Sequence, residues 1–246
     1  CLTAANSGCP SSSYCSLIQI GNGSQSSSLS TFSKLFNDTS ANHKYWVILD
    51  FVQSSVDSGY ILFGFYQDIN NNNFNTFQYF KTDKIGNLVW VRELPPNGGG
   101  QPSFIIKSHN GYLLGGYYNS PYLMEIDEQG NKLWSKQYSN NLPKMQMVSS
   151  GGYVGFSSSQ DNKFIVVKVD NSGNIVWQKE HSYNLYTNTQ IQINRFLHDN
   201  NGNCYLFGWI GDGQASPPWN SWDGFIAKTD SNANHLWSRY YSTVSP

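Results

Sequence analysis

Charge is scarce in this chain, and that scarcity excludes more than any single motif establishes. Only 13% of the 246 residues are Asp, Glu, Lys or Arg, and the formal net charge is -1. No basic stripe is present, so neither nucleic acid nor an anionic membrane surface fits as the main partner. No run of about 18 apolar residues occurs, which excludes a transmembrane helix. Methionine falls to 3 and cysteine to 4, and no Cys-x-x-Cys pair or His cluster has metal-ligand spacing. Gly-x-Ser-x-Gly, His-Glu-x-x-His and phosphate-loop signatures are all missing. A glycosidase needs two carboxylates facing one pocket, and on the face that carries the irregular loops the possible acids are Asp68, Asp212 and Asp223. His43, His109, His181, His198 and His235 are scattered, and each reads as a surface or packing residue rather than a base. The expectation is a protein that is not an enzyme and carries neither cofactor nor metal.

What the chain does have is aromatics and a repeat. It holds 16 Tyr, 14 Phe and 8 Trp, a composition suited to many short strands joined by polar turns. Four times an Asp is followed seven residues later by a Trp: TDKIGNLVW (Asp83 to Trp90), IDEQGNKLW (Asp127 to Trp134), VDNSGNIVW (Asp170 to Trp177) and TDSNANHLW (Asp230 to Trp237). Trp-to-Trp spacings of 44, 43 and 60 residues mean one supersecondary unit copied four times. Each unit reads as four strands. The first (46–52, 103–107, 144–148, 191–197) runs into a Gly-bearing turn, and the second has glycine inside it, as in YILFGFY and CYLFGWI. Interior strand glycine marks a bulge or a close backbone approach. The third strand ends on the Asp, and the Gly-Asn turn leads into the Trp strand.

Four units of four strands predict an all-β, four-bladed β-propeller, with blades at about 46–94, 102–139, 144–182 and 191–241. Trp90, Trp134, Trp177 and Trp237 are the expected structural core, packed between blades. The repeat resembles the tandem D-x-x-G-N-x-x-W propeller blades of secreted and surface proteins. It is similar to the Asp-box of sialidase propellers too, but that box places Gly two residues after Asp and this chain three, so no sialidase chemistry is implied. Asp83, Asp127, Asp170 and Asp230 read as turn caps, because D-x-x-G-N lacks the alternate oxygen ligands and distant Glu of a calcium loop. Asp199-Asn200-Asn201-Gly202-Asn203 is closer in composition to a cation loop, yet it occupies a hairpin position found in every unit.

The loops between second and third strands are irregular. Blade 1 inserts Gln67–Thr76 and blade 4 inserts Gly211–Ser221, and insertions on one face of a repeat array commonly mark the binding face. Trp209, Trp219 and Trp222, with Tyr66 and Phe74, form the candidate ligand or interface set. Flat rings stack on sugar C–H faces, and interfaces favour the same residues. Alternatively, Trp219 and Trp222 fold the Pro-rich insertion back onto its blade.

Residues 1–45 stand outside the four units as an arm. Cys1, Cys9 and Cys15 crowd its start, and Cys204 is alone in the fourth blade. All four are disulfide candidates; the spacing leaves their pairing open, within or between chains. A chain that starts at Cys1 rather than Met implies a removed leader, with lipidation of Cys1 as the other reading. Asn22 and Asn37 lie in N-x-S/T sequons. These signs point to an oxidising, extracellular or cell-surface setting. The pattern looks like that of glycoprotein filaments built from strung propellers. That resemblance implies a secreted, glycosylated subunit that polymerises with copies of itself through the arm. A monomeric carbohydrate-binding propeller is the alternative.

Overall fold

The structure, a computed structural model, describes residues 17–20, 32–35, 44–68, 75–94, 100–139, 144–158, 163–183, 189–212 and 222–241. Most of them are strand. Blade 1 comprises β3 (Lys44–Gln53), β4 (Tyr60–Asp68), β5 (Asn75–Thr82) and β6 (Leu88–Glu93). Blade 2 comprises β7 (Gly100–Lys107), β8 (Tyr112–Tyr118), β9 (Ser120–Ile126) and β10 (Lys132–Gln137). Blade 3 holds β11 (Lys144–Met147), β12 (Tyr153–Ser158), β13 (Lys163–Val169) and β14 (Ile175–Ser182). Blade 4 holds β15 (Thr189–His198), β16 (Cys204–Asp212), β17 (Trp222–Thr229) and β18 (His235–Tyr241). Each blade is one sheet whose strands neighbour each other in chain order. The fold is all-β, a four-bladed β-propeller. Two further strands, β1 (Leu17–Ile20) and β2 (Phe32–Leu35), pair with each other and belong to none of the blades. Cα packing divides the chain into two compact units, Cys1–Asn119 with Glu125–Leu133, and Ser120–Met124 with Trp134–Pro246.

Within each sheet the second and third strands are the buried ones. β9 and β13 are almost wholly buried, whereas β10 and β14 alternate between exposed and half-buried positions. In the first unit Tyr60, Leu62 and Phe80 form a cluster with Ile48, Phe51 and Val91 against it. In the second, Phe156, Phe164, Val166, Phe196, Leu206 and Phe225 join blades 3 and 4. The interior glycines have the predicted cause. A bulge at Ile48/Asp50 and another at Ile193/Arg195 bend the first strand over the second. A Cβ on Gly64 would sit 1.9 Å from the Val47 carbonyl oxygen, and one on Gly208 would sit 1.8 Å from that of Gln192. The first bulge also aims Asp50, whose Oδ2 accepts a 2.9 Å hydrogen bond from the Ile105 amide of blade 2.

The Asp turns are self-contained. Asp170 Oδ1 accepts from the amides of Ser172 and Asn174 at 2.8 Å each, and Oδ2 accepts from Asn174 Nδ2 at 2.8 Å. The same three bonds recur at Asp83, Asp127 and Asp230. The third residue after each Asp has positive φ: Gly86, Gly130, Gly173 and Ala233. The turns of blades 2, 3 and 4 also receive the preceding blade's Trp strand. The Trp90 ring lies on Gly130, where an added Cβ would come within 2.8 Å of it. Arg92 donates to the Gln129 carbonyl and Tyr79 OH to that of Gly130. The Trp134 ring lies on Gly173, Lys136 donates to Asn174 Oδ1, and Tyr138 OH donates to the Gly173 carbonyl at 2.7 Å. Trp177 packs on the cluster that holds Ala233, and Lys179 donates to Asn234 Oδ1.

An ion network around the buried Lys81 reinforces the first seam. Lys81 Nζ lies 2.9 Å from Asp57 and 3.2 Å from Glu128, and Tyr112 OH donates to Glu128 at 2.6 Å. Burial pulls the Lys81 ammonium down, but Asp57 and Glu128 outweigh it and hold it above the usual lysine value.

The expected tryptophan core needs correction. Trp90, Trp134 and Trp177 are half-buried and Trp237 is 38% exposed. They sit on the fourth strand of each blade, so each can cover a turn on one side while its other side meets solvent. The fully buried side chains belong instead to the middle strands, with Tyr112, Tyr153, Phe63 and Phe156 among the largest.

Two glycines separate the contribution of this contact from backbone strain. Gly151 and Gly173 both have positive φ, +88° and +77°. Around Gly151 the nearest atom to an added Cβ is 3.9 Å away, but at Gly173 the Trp134 ring is 2.5 Å away. Gly151→Ala is expected to cost about 1–2 kcal/mol, the strain alone. Gly173→Ala should cost about 2–4 kcal/mol, because overpacking adds to the strain. Urea melts of both variants check this; equal losses would show that the indole does not rest on the turn.

Candidate functional site

The aromatic set predicted for the irregular face is resolved in part. Trp209 on β16 and Trp222 on β17 come together edge to face, with ring centroids 4.0 Å apart. They are diagonal neighbours, since Trp209 pairs with Gly224 and Trp222 with Gly211, a spacing that large rings bridge. Trp222 is 40% exposed, and Trp209 is half-buried. Tyr66 sits on β4 of blade 1, across from Thr76. Trp219 and Phe74 lie outside the described residues, as do Cys1, Cys9, Cys15, Asn22 and Asn37.

The register extends the pair into rows of side chains. On one face of blade 4 the row Gln192, Trp209, Gly224, Tyr241 crosses all four strands. Beneath it runs Arg195, Phe207, Ile226, Arg239, and beneath that Leu197, Tyr205, Lys228, Trp237. Cross-strand partners share a face. The opposite face carries Ile191, Ile193, Phe196, Leu206, Ile210 and Phe225, all in the core. Lys228 Nζ lies 4.8 Å from the Tyr205 ring centroid, and the Arg239 guanidinium lies 5.9 Å from that of Trp237. Three cations and no carboxylate occupy these three rows.

The Asp turns offer little to a cation, since N–H groups already occupy both carboxylate oxygens. In Asp170, Asp199 and Asp230 the hydrogen bond from the Asn side-chain amide leads in holding the carboxyl below its ordinary range. The Asp199 segment, closest in composition to a cation loop, has this same geometry. Asp199 Oδ1 accepts from the amides of Asn201 and Asn203, and Oδ2 accepts from Asn203 Nδ2 at 2.8 Å. It is a fifth copy of the turn, placed between β15 and β16. Its spelling, D-x-x-G-N, matches the turns at Asp83, Asp127 and Asp170, and that was the signal available in the sequence.

Cys204 is a free thiol, 1% exposed within the core of blades 3 and 4. Burial leads in pushing it up to about 11, which suits an unreactive packing residue. It stands where the other blades place Tyr60, Tyr112 and Tyr153, the residue opening the second strand.

Histidine enters at the seam between blades 3 and 4. The His181 ring stacks on Phe164 with centroids 4.9 Å apart, and its Nε2 is buried without a partner. His235 lies 6.5 Å away. Burial, helped by His235 and Lys179, pulls His181 below the ordinary value of 6.5, against a hydrogen bond to the Ala233 backbone. Neither imidazole adjoins a nucleophile or a carboxylate pair, and the described residues hold no group of three or more metal-binding side chains. No helix among them is long and apolar enough to cross a membrane.

Comparison with protein-family models and with curated proteins gives no match. Among solved structures, the chain is similar to a protein of unknown function from Bacteroides caccae, with 14% identity and a TM-score of 0.49 over 91% of this chain and 77% of that one. An endo-arabinase from Bacteroides thetaiotaomicron gives 9% identity and a TM-score of 0.44, covering 81% and 80% of the two chains. The Dos1 propeller gives 12% and 0.40, covering 79% and 62%. Likeness at this level carries nothing about activity.

The histidine seam makes acid sensitivity measurable. His181 is neutral in the fold, and its folded value is depressed below 6.5. Below pH 6.5 the unfolded chain therefore binds more protons, and stability falls as pH drops from there toward the folded value. The Asp turns act in a lower window, below 3.8, where their protonation removes stability. Between pH 6.5 and 4.5, wild-type protein should lose melting temperature faster than His181→Gln. Parallel curves across that range would show that the His181 proton is not linked to folding.

Proposed function

We propose that the chain is a non-enzymatic structural glycoprotein of the extracellular space, the subunit of a filament that assembles with copies of itself through its N-terminal arm. The observation that carries this reading is the β1–β2 hairpin. Every blade draws its four strands from residues 44–241, so the hairpin is surplus to all of them. A lone two-stranded hairpin is marginal in water. It gains stability by adding to a sheet edge or docking on a partner, and strand addition is an established mode of recognition. A head-to-tail contact of that kind produces open filaments when its rotation does not close. The sequons at Asn22 and Asn37 and the three cysteines of the same arm support glycosylation and covalent linkage there. The D-x-x-G-N-x-x-W repeat and its likeness to strung-propeller filaments point the same way.

The Trp209–Trp222 pair favours a second reading, a monomeric carbohydrate-binding propeller. Removing residues 1–43 distinguishes the two. The shortened chain should keep its near-ultraviolet circular dichroism and elute as a monomer, while the intact chain elutes as larger species that shrink on disulfide reduction. An intact chain that is monomeric at every concentration and redox state would sink the filament reading.

A further inference from the structure

Blades 1, 2 and 3 place a glycine just before the second strand: Gly59, Gly111 and Gly152. Packing demands it. A Cβ there would lie 2.1, 2.2 and 2.0 Å from the carbonyl oxygens of Thr82, Ile126 and Val169, the residues that end the third strand. The residue before the glycine varies, being Ser58, Asn110 and Gly151 in turn. Of these three hairpins only that of blade 2 sets an asparagine against the obligatory glycine.

The hairpins also differ in what the glycine amide does. The Gly59 N–H donates to Asp57 Oδ1 at 3.0 Å, and the Gly152 N–H donates to Asn171 Oδ1 at 2.7 Å. Among the described residues the Gly111 N–H has no acceptor. Glu128 stands where blade 3 has Asn171, one place after the turn Asp, but Tyr112 OH and Lys81 Nζ already engage its two oxygens. The other Asn-Gly pair of the described residues, Asn201–Gly202, is held at both amides. Gly202 N–H donates to the Asp199 carbonyl at 2.9 Å, and Asn201 N–H donates to Asp199 Oδ1 at 2.9 Å.

We propose that Asn110 is a modification site, converted spontaneously to aspartate and isoaspartate, while Asn201 is spared. Asparagine is among the thermolabile residues, and a following glycine has no Cβ to hinder the reaction. The Gly111 nitrogen attacks Asn110 Cγ. The N–Cγ bond forms, the Cγ–Nδ2 bond breaks, and the Gly111 amide proton leaves with Nδ2 as ammonia. Water then opens the cyclic imide. Opening at Cγ gives aspartate; opening at the Asn110 main-chain carbonyl gives isoaspartate, with an extra carbon in the main chain. That carbon falls beside Gly111, which has no slack against Ile126. It also precedes Tyr112, which is buried and donates to Glu128 at 2.6 Å. Isoaspartate therefore loosens the ion network around Lys81. Every group involved lies in the first compact unit, and the chemistry is independent of whether the chain polymerises.

The test is peptide mapping by mass spectrometry of the intact protein, aged in mildly alkaline buffer below its melting temperature and, in parallel, in urea. In the folded protein Asn110 should convert at least tenfold faster than Asn201, the factor that about 1.4 kcal/mol of turn opening imposes. In urea the two rates should converge. Aged wild type should melt about 2–4 °C lower than fresh protein, the shift that loss of one hydrogen bond gives at this size. Aged Asn110→Ser, which takes the residue of blade 1, should keep its melting temperature. Asn110→Asp, which has the new charge without the extra carbon, should melt as fresh wild type does. Asn201 converting as fast as Asn110 in the folded protein would overturn the proposal, and so would an Asn110 that reacts only in urea. A rate gap that persists in urea would overturn the role of the fold. Asn110→Asp melting as low as aged wild type would overturn the role of the added carbon.

Discussion

Blade packing within each unit depends on an indole lying flat against a residue with almost no side chain. Trp90 on Gly130 and Trp134 on Gly173 leave no room for even one carbon between ring and backbone. The contact demands two things at once. The turn must expose bare backbone at a left-handed position, and it must hold that shape before the neighbouring blade arrives. The Asp meets the second demand. It closes the turn with three N–H bonds drawn from within five residues, so the turn is rigid as a local unit. With the turn so organised, the Trp strand can dock without ordering its partner, and less entropy is lost.

The basic residue two places after Trp90, Trp134 and Trp177 then has a defined target. Arg92, Lys136 and Lys179 all reach the next blade's turn, to the Gln129 carbonyl, Asn174 and Asn234. The carbonyl of the left-handed residue is capped as well, by Tyr79 at Gly130 and by Tyr138 at Gly173. At Ala233 the backbone bond comes from His181. Tyr138 and His181 both stand four residues after their Trp. In blade 1 that place is Leu94, which has no donor, and Tyr79 from the third strand supplies it. Substituting an imidazole for a phenol keeps the hydrogen bond but makes that one seam sensitive to protons.

The periodicity made the blades legible in the sequence, since a strand–turn grammar repeated four times admits few architectures. The mid-strand glycines were legible for the same reason, and the bulges at Ile48/Asp50 and Ile193/Arg195 are what they accommodate. The tryptophans misled because aromatic residues in a fixed repeat position look like core, whereas these four occupy the last strand of each blade, where Trp90 and Trp134 cover turns. The seam bonds were out of reach: Lys136 and Asn174 are 38 residues apart, and nothing local links an exposed lysine to that amide. The Asp199 turn differs from the others by place rather than by spelling, since it joins the first two strands of its blade instead of the last two. In the aromatic set, Trp209 and Trp222 proved to be neighbours through strand register, which the residue order alone does not reveal.

Blade 4 shows how departures from a repeat can be sorted. Cys204 replaces a tyrosine but stays buried among core side chains, so its surroundings account for it. Ala233 replaces a turn glycine at φ 58°, a strained conformation for alanine, and its methyl group is fully buried in the core cluster, which offsets the strain.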